Sequence, residues 1–305
     1  RCKRDFSEIR NLKINKQLQQ QPATMERQRK EIAAHIAGAD RLLIVAAAGL
    51  SISNDKPNNP YHSPQDFAHH YPTLLKYGYR TSFQAMSLQM DPDVPQGVKA
   101  AHGARHFLNM RWNFRPTSAY TWLHKLSRTF APNDVFAWTS NVDGCFARAG
   151  FDPARVYTTQ GQMDKHQCAR VGCGNVFESE QQMRTIDANS TNGVLTDLDL
   201  VLKCPKCGGD QNLPNLRGGD WFIHDPYLTT QETMIAWLDE CVDKQLSVAV
   251  VEVGVGRNTP IVTRIPASAF ASAVGAVSEK TVAIVVVVVV VAIGVVAIVG
   301  VGFVG

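Results

Sequence analysis

A chain of 305 residues, 45% hydrophobic and 19% charged, is long enough to bury one large core and carry a smaller module beside it. The formal charge of +4 is concentrated at one end, where residues 1–30 hold nine Lys/Arg against three acids and leave the other 275 residues at −2. A body this close to neutral excludes the basic surface that nucleic-acid binding requires.

Residues 1–24 form a polar basic extension, read as a disordered arm or a targeting segment. From Met25 onward, "ERQRKEIAAHIAGAD" places Ile32, Ile36 and Ala39 on one helical face. "RLLIVAAAGLS" (41–51) follows as a buried strand that runs into a tight turn of small residues and then a helix. Such a turn lets backbone N–H groups approach a phosphate, although small residues after a strand are common without one. The stretch opening with "SNDKPNNPYHSPQDFAHHYP" breaks the pattern, and 54–115 reads as a long loop or helical lid. Its His62, His69 and His70 are expected to be solvated rather than ligands.

Next come a helix over "TSAYTWLHKLSRTF" and two apolar runs, "DVFAWTSNVDG" and "ARVYTTQG", that both end in polar residues. A further helix, "QETMIAWLDECVDKQ", precedes "LSVAVVEVGVG". Strands alternating with helices predict an α/β fold: a Rossmann-like parallel sheet with helices on both faces. It would be built from 25–160 and 215–271, with ligands bound beyond the carboxyl ends of the strands. Asn141 and Asp143, taken alone, could equally cap a strand–turn–helix connection.

Residues 161–214 interrupt the domain with "CARVGC" and "CPKCGG". Cys168, Cys173, Cys204 and Cys207 arrive as two close pairs, each followed by glycine, which suits a structural Zn²⁺ ion and leaves no open position for catalysis. An odd total of seven cysteines argues against a disulfide scaffold and for a reducing intracellular compartment. The tail, 272–305, is of low complexity. Every residue from Val282 to Gly305 is apolar or Gly, long enough for a tail anchor in a membrane, the alternative being low-complexity coding sequence.

"AAAGLS", "TSNVDG", "TTQG", the cysteine pairs and "VGVGRNTP" stand in an order that resembles the sirtuins, from about Glu31 to Ile265. "AGFDPARVYTTQG", "NLRGGDWFIHD" and "VEVGVGRNTP" resemble their class M, macrodomain-linked branch, of protein ADP-ribosyltransferase type. The resemblance implies NAD as co-substrate. It implies Ala48, Gly49 and Ser51 at the NAD phosphates, Asn141 beside the nicotinamide ribose and Asp143 on the carboxamide. It implies Gly254, Gly256, Arg257 and Asn258 near the adenosine half. Gln160 stands at the position of the catalytic histidine, Ala47 replaces a glycine of the phosphate turn, and the match ends after about Phe270.

A sirtuin deacylase needs that histidine as a general base, and glutamine has no titratable group near neutrality. Cleaving the nicotinamide–ribose bond needs no such base. The residues therefore favour ADP-ribosyl transfer to an acceptor protein, which the resemblance suggests is a lipoylated carrier protein. A protein-lysine deacylase and a non-enzymatic NAD or ADP-ribose sensor are the alternatives.

Overall fold

The computed structural model describes residues 26–27, 29–51 and 63–255, together with the strands at 288–292 and 295–299. A first helix, α1 (29–37), leads into β1 (Arg41–Ala46), all six of whose residues are buried. The expected helix after β1 is a 3₁₀ turn, Ala48–Leu50. Residues 1–24 and His62 lie outside the described residues.

Where a long loop was one expectation for 54–115, the described part is helical: α2 (Pro64–His70), 3₁₀ segments at Pro72–Tyr77 and Gln84–Met90, and α3 (Gln96–Phe107). Local chemistry explains this. Ser63 Oγ accepts from the Asp66 N–H with Pro64 in the first turn, a strong helix start. Val98, Ala101, Ala104 and Phe107 then supply a buried stripe at three-residue spacing along α3.

The chain continues through α4 (Ser118–Ser127), β2 (Val135–Thr139), the short α5 (Cys145–Arg148) and β3 (Val156–Thr158). The module comprises β4 (Gly161–Cys168), β5 (Val176–Glu178), α6 (Glu180–Ala188), the hairpin β6 (Ser190–Thr191) and β7 (Val194–Leu195), and β8 (Asn212–Leu216). β5, β4 and β8 form an antiparallel sheet, whose last strand ends at Leu216. α7 (Asp225–Asp243) and β9 (Val248–Val253) return to the main sheet. Within the apolar tail, β10 (Val288–Ala292) and β11 (Val295–Val299) are strands that extend that sheet in the order β11-β10-β9-β1-β2-β3. Among the described residues, no helix is long and apolar enough to cross a membrane.

β9, β1, β2 and β3 are parallel. Both faces of the sheet are covered, as its continuous apolar runs require. Leu42, Ile44, Ala137, Ala249 and Val251 face Tyr120, Leu123, Phe146 and Ile32. Leu43, Val45, Phe136 and Val250 face Tyr227, Met234, Trp237 and Cys241 of α7. Successive strand residues thus alternate between two cores, each leucine or valine contributing about 1.5–3 kcal/mol on burial. From β1 the chain moves outward to β2 and β3, then returns on β1's other side as β9. The topological switch point lies between β1 and β9, and ligands of open α/β sheets bind at such points.

Candidate active site and a four-cysteine centre

The turns leaving β1 and β9 meet backbone to backbone at the switch point. Ala47 N–H donates to Val253 O (3.1 Å) and Gly49 N–H to Gly254 O (3.0 Å). A Cβ on Gly49 would lie 2.7 Å from the Gly254 Cα, and Gly254 itself has φ +66°, so glycine is required at both positions by this contact. Ala47 is in extended backbone with its methyl buried, while Ala48 is exposed at the tip.

Over this turn stands a buried polar set. Ser51 Oγ donates to Asp143 Oδ2 (2.5 Å) and lies 2.8 Å from Tyr120 OH. With the serine proton committed to the carboxylate, the tyrosine is the donor in the second bond. The Asn141 amide lies within donating distance of Ala47 O (3.1 Å), Ser51 Oγ (3.2 Å) and Tyr120 OH (3.0 Å). Its own N–H donates to Thr139 Oγ1 (3.0 Å), whose hydroxyl in turn donates to Ala46 O. Burial first, and the nearby Asp143 second, hold the Tyr120 hydroxyl protonated well above its ordinary 10. The site is thus a neutral donor chain ending on one carboxylate.

Capping accounts for only part of it. Asp143 Oδ1 accepts from Cys145 N–H (2.8 Å) at the start of α5, whereas Asn141 spends its amide on the turn after β1 and on α4. Each carboxylate oxygen of Asp143 keeps acceptor capacity beyond these bonds.

Gln160 leaves β3 two residues past its end, as Asn141 leaves the adjacent β2. The two strands are in register there, Thr139 opposite Thr158, and Thr159 N–H donates to Thr139 O. The half-buried Gln160 is fixed through its backbone. Its carbonyl accepts from Arg217 N–H (3.0 Å), while Arg217 Nε donates to Thr159 O (2.9 Å). The Arg217 guanidinium lies over the Phe222 ring, 4.6 Å from its centroid.

The structure thus brings together Ser51, Gly49, Asn141, Asp143 and Gly254, and sets Gln160 at the end of the neighbouring strand. Gly256, Arg257 and Asn258 lie outside the described residues. Sequence reading missed Tyr120, which counts along α4 as one more apolar-stripe position. It also missed Arg217, which sits inside "NLRGGDWFIHD" without a recognisable spacing of its own.

At the far end of β4, the sulfurs of Cys168, Cys173, Cys204 and Cys207 lie within 4.8 Å of one another, with Sγ–Sγ separations of 3.6 Å (Cys168–Cys207) and 3.8 Å (Cys173–Cys204). Four sulfurs at the usual Zn–S distance of about 2.3 Å sit roughly 3.8 Å apart in a tetrahedron. The donor set and its geometry fit such an ion. Among the described residues this is the one group of three or more His, Cys, Asp or Glu side chains close enough together to hold a metal ion.

No family model matches the chain. A protein of Fusarium oxysporum f. sp. cubense named "Probable bifunctional ADP-ribose hydrolase/ADP-ribosyltransferase" is 29% identical over 237 residues, which cover 76% of this chain and 38% of that protein. The chain therefore spans well under half the length of this curated relative. Similar solved structures include Sir2 with a p53 peptide and NAD⁺ (17% identity, TM-score 0.41, 74% of this chain and 75% of that one). Sir2 bound to acetylated peptide is another (15%, 0.41, 74% and 75%).

Proposed function

We propose that this chain is a sirtuin-type, NAD-dependent protein ADP-ribosyltransferase of the class M branch, with a structural zinc ion on Cys168, Cys173, Cys204 and Cys207. The observation that carries the reading is the single buried set of Ser51, Tyr120, Asn141 and Asp143 at the switch point, with Gln160 leaving the next strand beside it. The name of the fungal relative supports it as well.

In this reading NAD supplies the ADP-ribosyl group. Its C1′–N bond breaks with the electron pair leaving on nicotinamide, and the acceptor's lone pair forms the new bond at C1′ while its proton passes to solvent. Ala48, Gly49, Ser51 and Gly254 bind the phosphate and adenosine side. Asp143 accepts from the carboxamide, and Asn141 orients the ribose from a rigid donor chain. Gln160 offers the ribose hydroxyls hydrogen bonds without a titratable proton, so the base-requiring second stage of deacylation lacks its base at this position. The acceptor we propose is a lipoylated carrier protein, on the strength of the sequence resemblance.

Labelled NAD incubated with the full chain and with candidate acceptors, acyl-lysine peptides included, decides the matter by mass spectrometry. Nicotinamide release with ADP-ribose on a protein is expected. Loss of the acyl group from the peptide, with no protein-bound ADP-ribose, would make the chain a deacylase. Binding of NAD without nicotinamide release would make it a sensor.

A further inference from the structure

Arg111 touches three parts of the molecule at once. It lies in the π-helical segment Leu108–Trp112 that continues α3, so it belongs to the lid. Its Nη1 donates to the carbonyl of Asp143 (3.2 Å), and its Nη2 to Asp164 Oδ2 on β4 (2.7 Å). Both side chains of this ion pair are about 15% exposed, so the contact is largely shielded from solvent. Single π-turns inside helices gather at functional sites because they re-aim the side chains they carry.

The surroundings are shaped to hold this guanidinium. A Cβ on Gly144 would lie 2.0 Å from Arg111 Nη1, and φ there is +68°, so glycine leaves the room that the arginine fills. A second guanidinium, Arg148 Nη2, donates to the same Asp143 carbonyl (2.9 Å). β4 is out of regular register between Gly161 and His166, the stretch that carries Asp164. In that stretch Met163 N–H donates to Val142 O (2.9 Å), fastening β4 directly to the Asn141–Asp143 loop. Four residues beyond Asp164, the same strand ends in Cys168 of the four-cysteine centre.

We propose that Arg111 is a positioning residue for the ADP-ribosyl transfer: it locks the Asp143 peptide to β4, so that the lid and the cysteine module must both be seated before the Asp143 carboxylate is aimed. The inference rests on the function proposed above. Only a planar fork can serve the carboxylate and the carbonyl together; a lysine ammonium on a flexible stem reaches one of them.

The test compares the full zinc-loaded chain with Arg111→Met, Asp164→Asn and the double variant. Nicotinamide release gives kcat and KM for NAD, and hydrogen exchange reports on peptides covering 140–148. In Arg111→Met, kcat is expected to fall on the order of 100-fold, the cost of a mispositioned reacting group. Exchange should rise at 140–148 and not in the β1, β2 and β9 core, with zinc content kept. The double variant should be little worse than Arg111→Met, because both remove one link. Asp164→Asn, which keeps the arginine and the side-chain shape, carries the test if Arg111→Met does not fold. Unchanged exchange at 140–148, or a rise spread over the whole core, overturns the inference whatever the activity. A wild-type chain that releases no nicotinamide overturns the functional reading instead, while the exchange result still decides Arg111.

Discussion

Asn141 is the residue that tests whether the turn after β2 is structural or, as proposed, reactive. Its amide faces three buried acceptors, Ala47 O in the turn after β1, Ser51 Oγ and Tyr120 OH on α4, so Asn141→Ala leaves polar groups short of partners and should cost about 1–3 kcal/mol. The parallel core does not depend on it, and the variant should melt as a folded protein. Nicotinamide release should nevertheless disappear, and near-normal turnover would reduce Asn141 to a scaffold part. Gln160 calls for a gain rather than a loss. Gln160→His returns a titratable base to a position whose backbone is already fixed by Arg217 and by the adjacent β2. Deacylation of an acyl-lysine peptide should rise with pH through the imidazole range, since the base acts only when neutral. Robust deacylation already present in the wild type, at a level the histidine does not change, would remove the argument from the glutamine. The apolar runs that become β2 and β3 showed in the sequence that Asn141, Asp143 and Gln160 sit at strand ends, but their proposed roles came only from the resemblance. Tyr120 was not legible, because its polar end finds Ser51 only through tertiary packing across 69 positions.

Among the elements, β1 is the one on which the site and the core both depend. At its carboxyl end the Gly49–Gly254 contact tolerates no side chain, so Gly49→Ala should destabilise the chain by about 1–3 kcal/mol as the two turns are pushed apart. A variant as stable as wild type in denaturant titration would show that the turns separate freely. At its other end, buried Arg41 donates to Glu240 and to the Trp237 carbonyl of α7, and its guanidinium lies over the Trp237 ring. Lys244, then Arg41, hold the Glu240 carboxyl down to about 2, below its ordinary 4.5. A carboxyl depressed in the folded state contributes stability above its unfolded value and loses it as pH falls through the folded one. The melting temperature should therefore drop between about pH 4.5 and 2. Glu240→Gln should lower it near neutrality and flatten that part of the acid slope; a slope identical to wild type would assign the acid sensitivity elsewhere. The apolar pattern of β1 announced its burial on both faces, but nothing in "RLLIVA" marked Arg41 as buried rather than as the strand's exposed entry.

For the molecule as a whole, two kinds of order sit side by side. The parallel sheet was readable because its strands are continuous apolar runs that packing on both faces demands. The module was readable only as cysteine spacing: β8, "NLPNL", holds two Asn and a Pro, poor strand formers, and is a strand because β4 offers it a ladder. The core at that end consists largely of the four cysteines, Cys168 and Cys204 with Phe177, and Cys173, Cys207 and Leu202 packed against them. Met183, Ile186 and Leu195 of the module pack on α3 instead, so the two cysteine loops have only this small cluster, and an ion on the proposed site would supply free energy for ordering them. Wild-type protein should therefore carry stoichiometric zinc. Cys204→Ser, or removal of the ion by a chelator, should raise hydrogen exchange over 161–216 while the main sheet, with its own two cores, keeps its protection. Because β4 is bonded to the loop at Val142 and through Asp164 to Arg111, nicotinamide release should fall with the metal even though no cysteine touches the reacting atoms. A chain that is fully folded and free of zinc in metal analysis, with exchange over 161–216 as slow as over the sheet, would sink the structural-zinc reading.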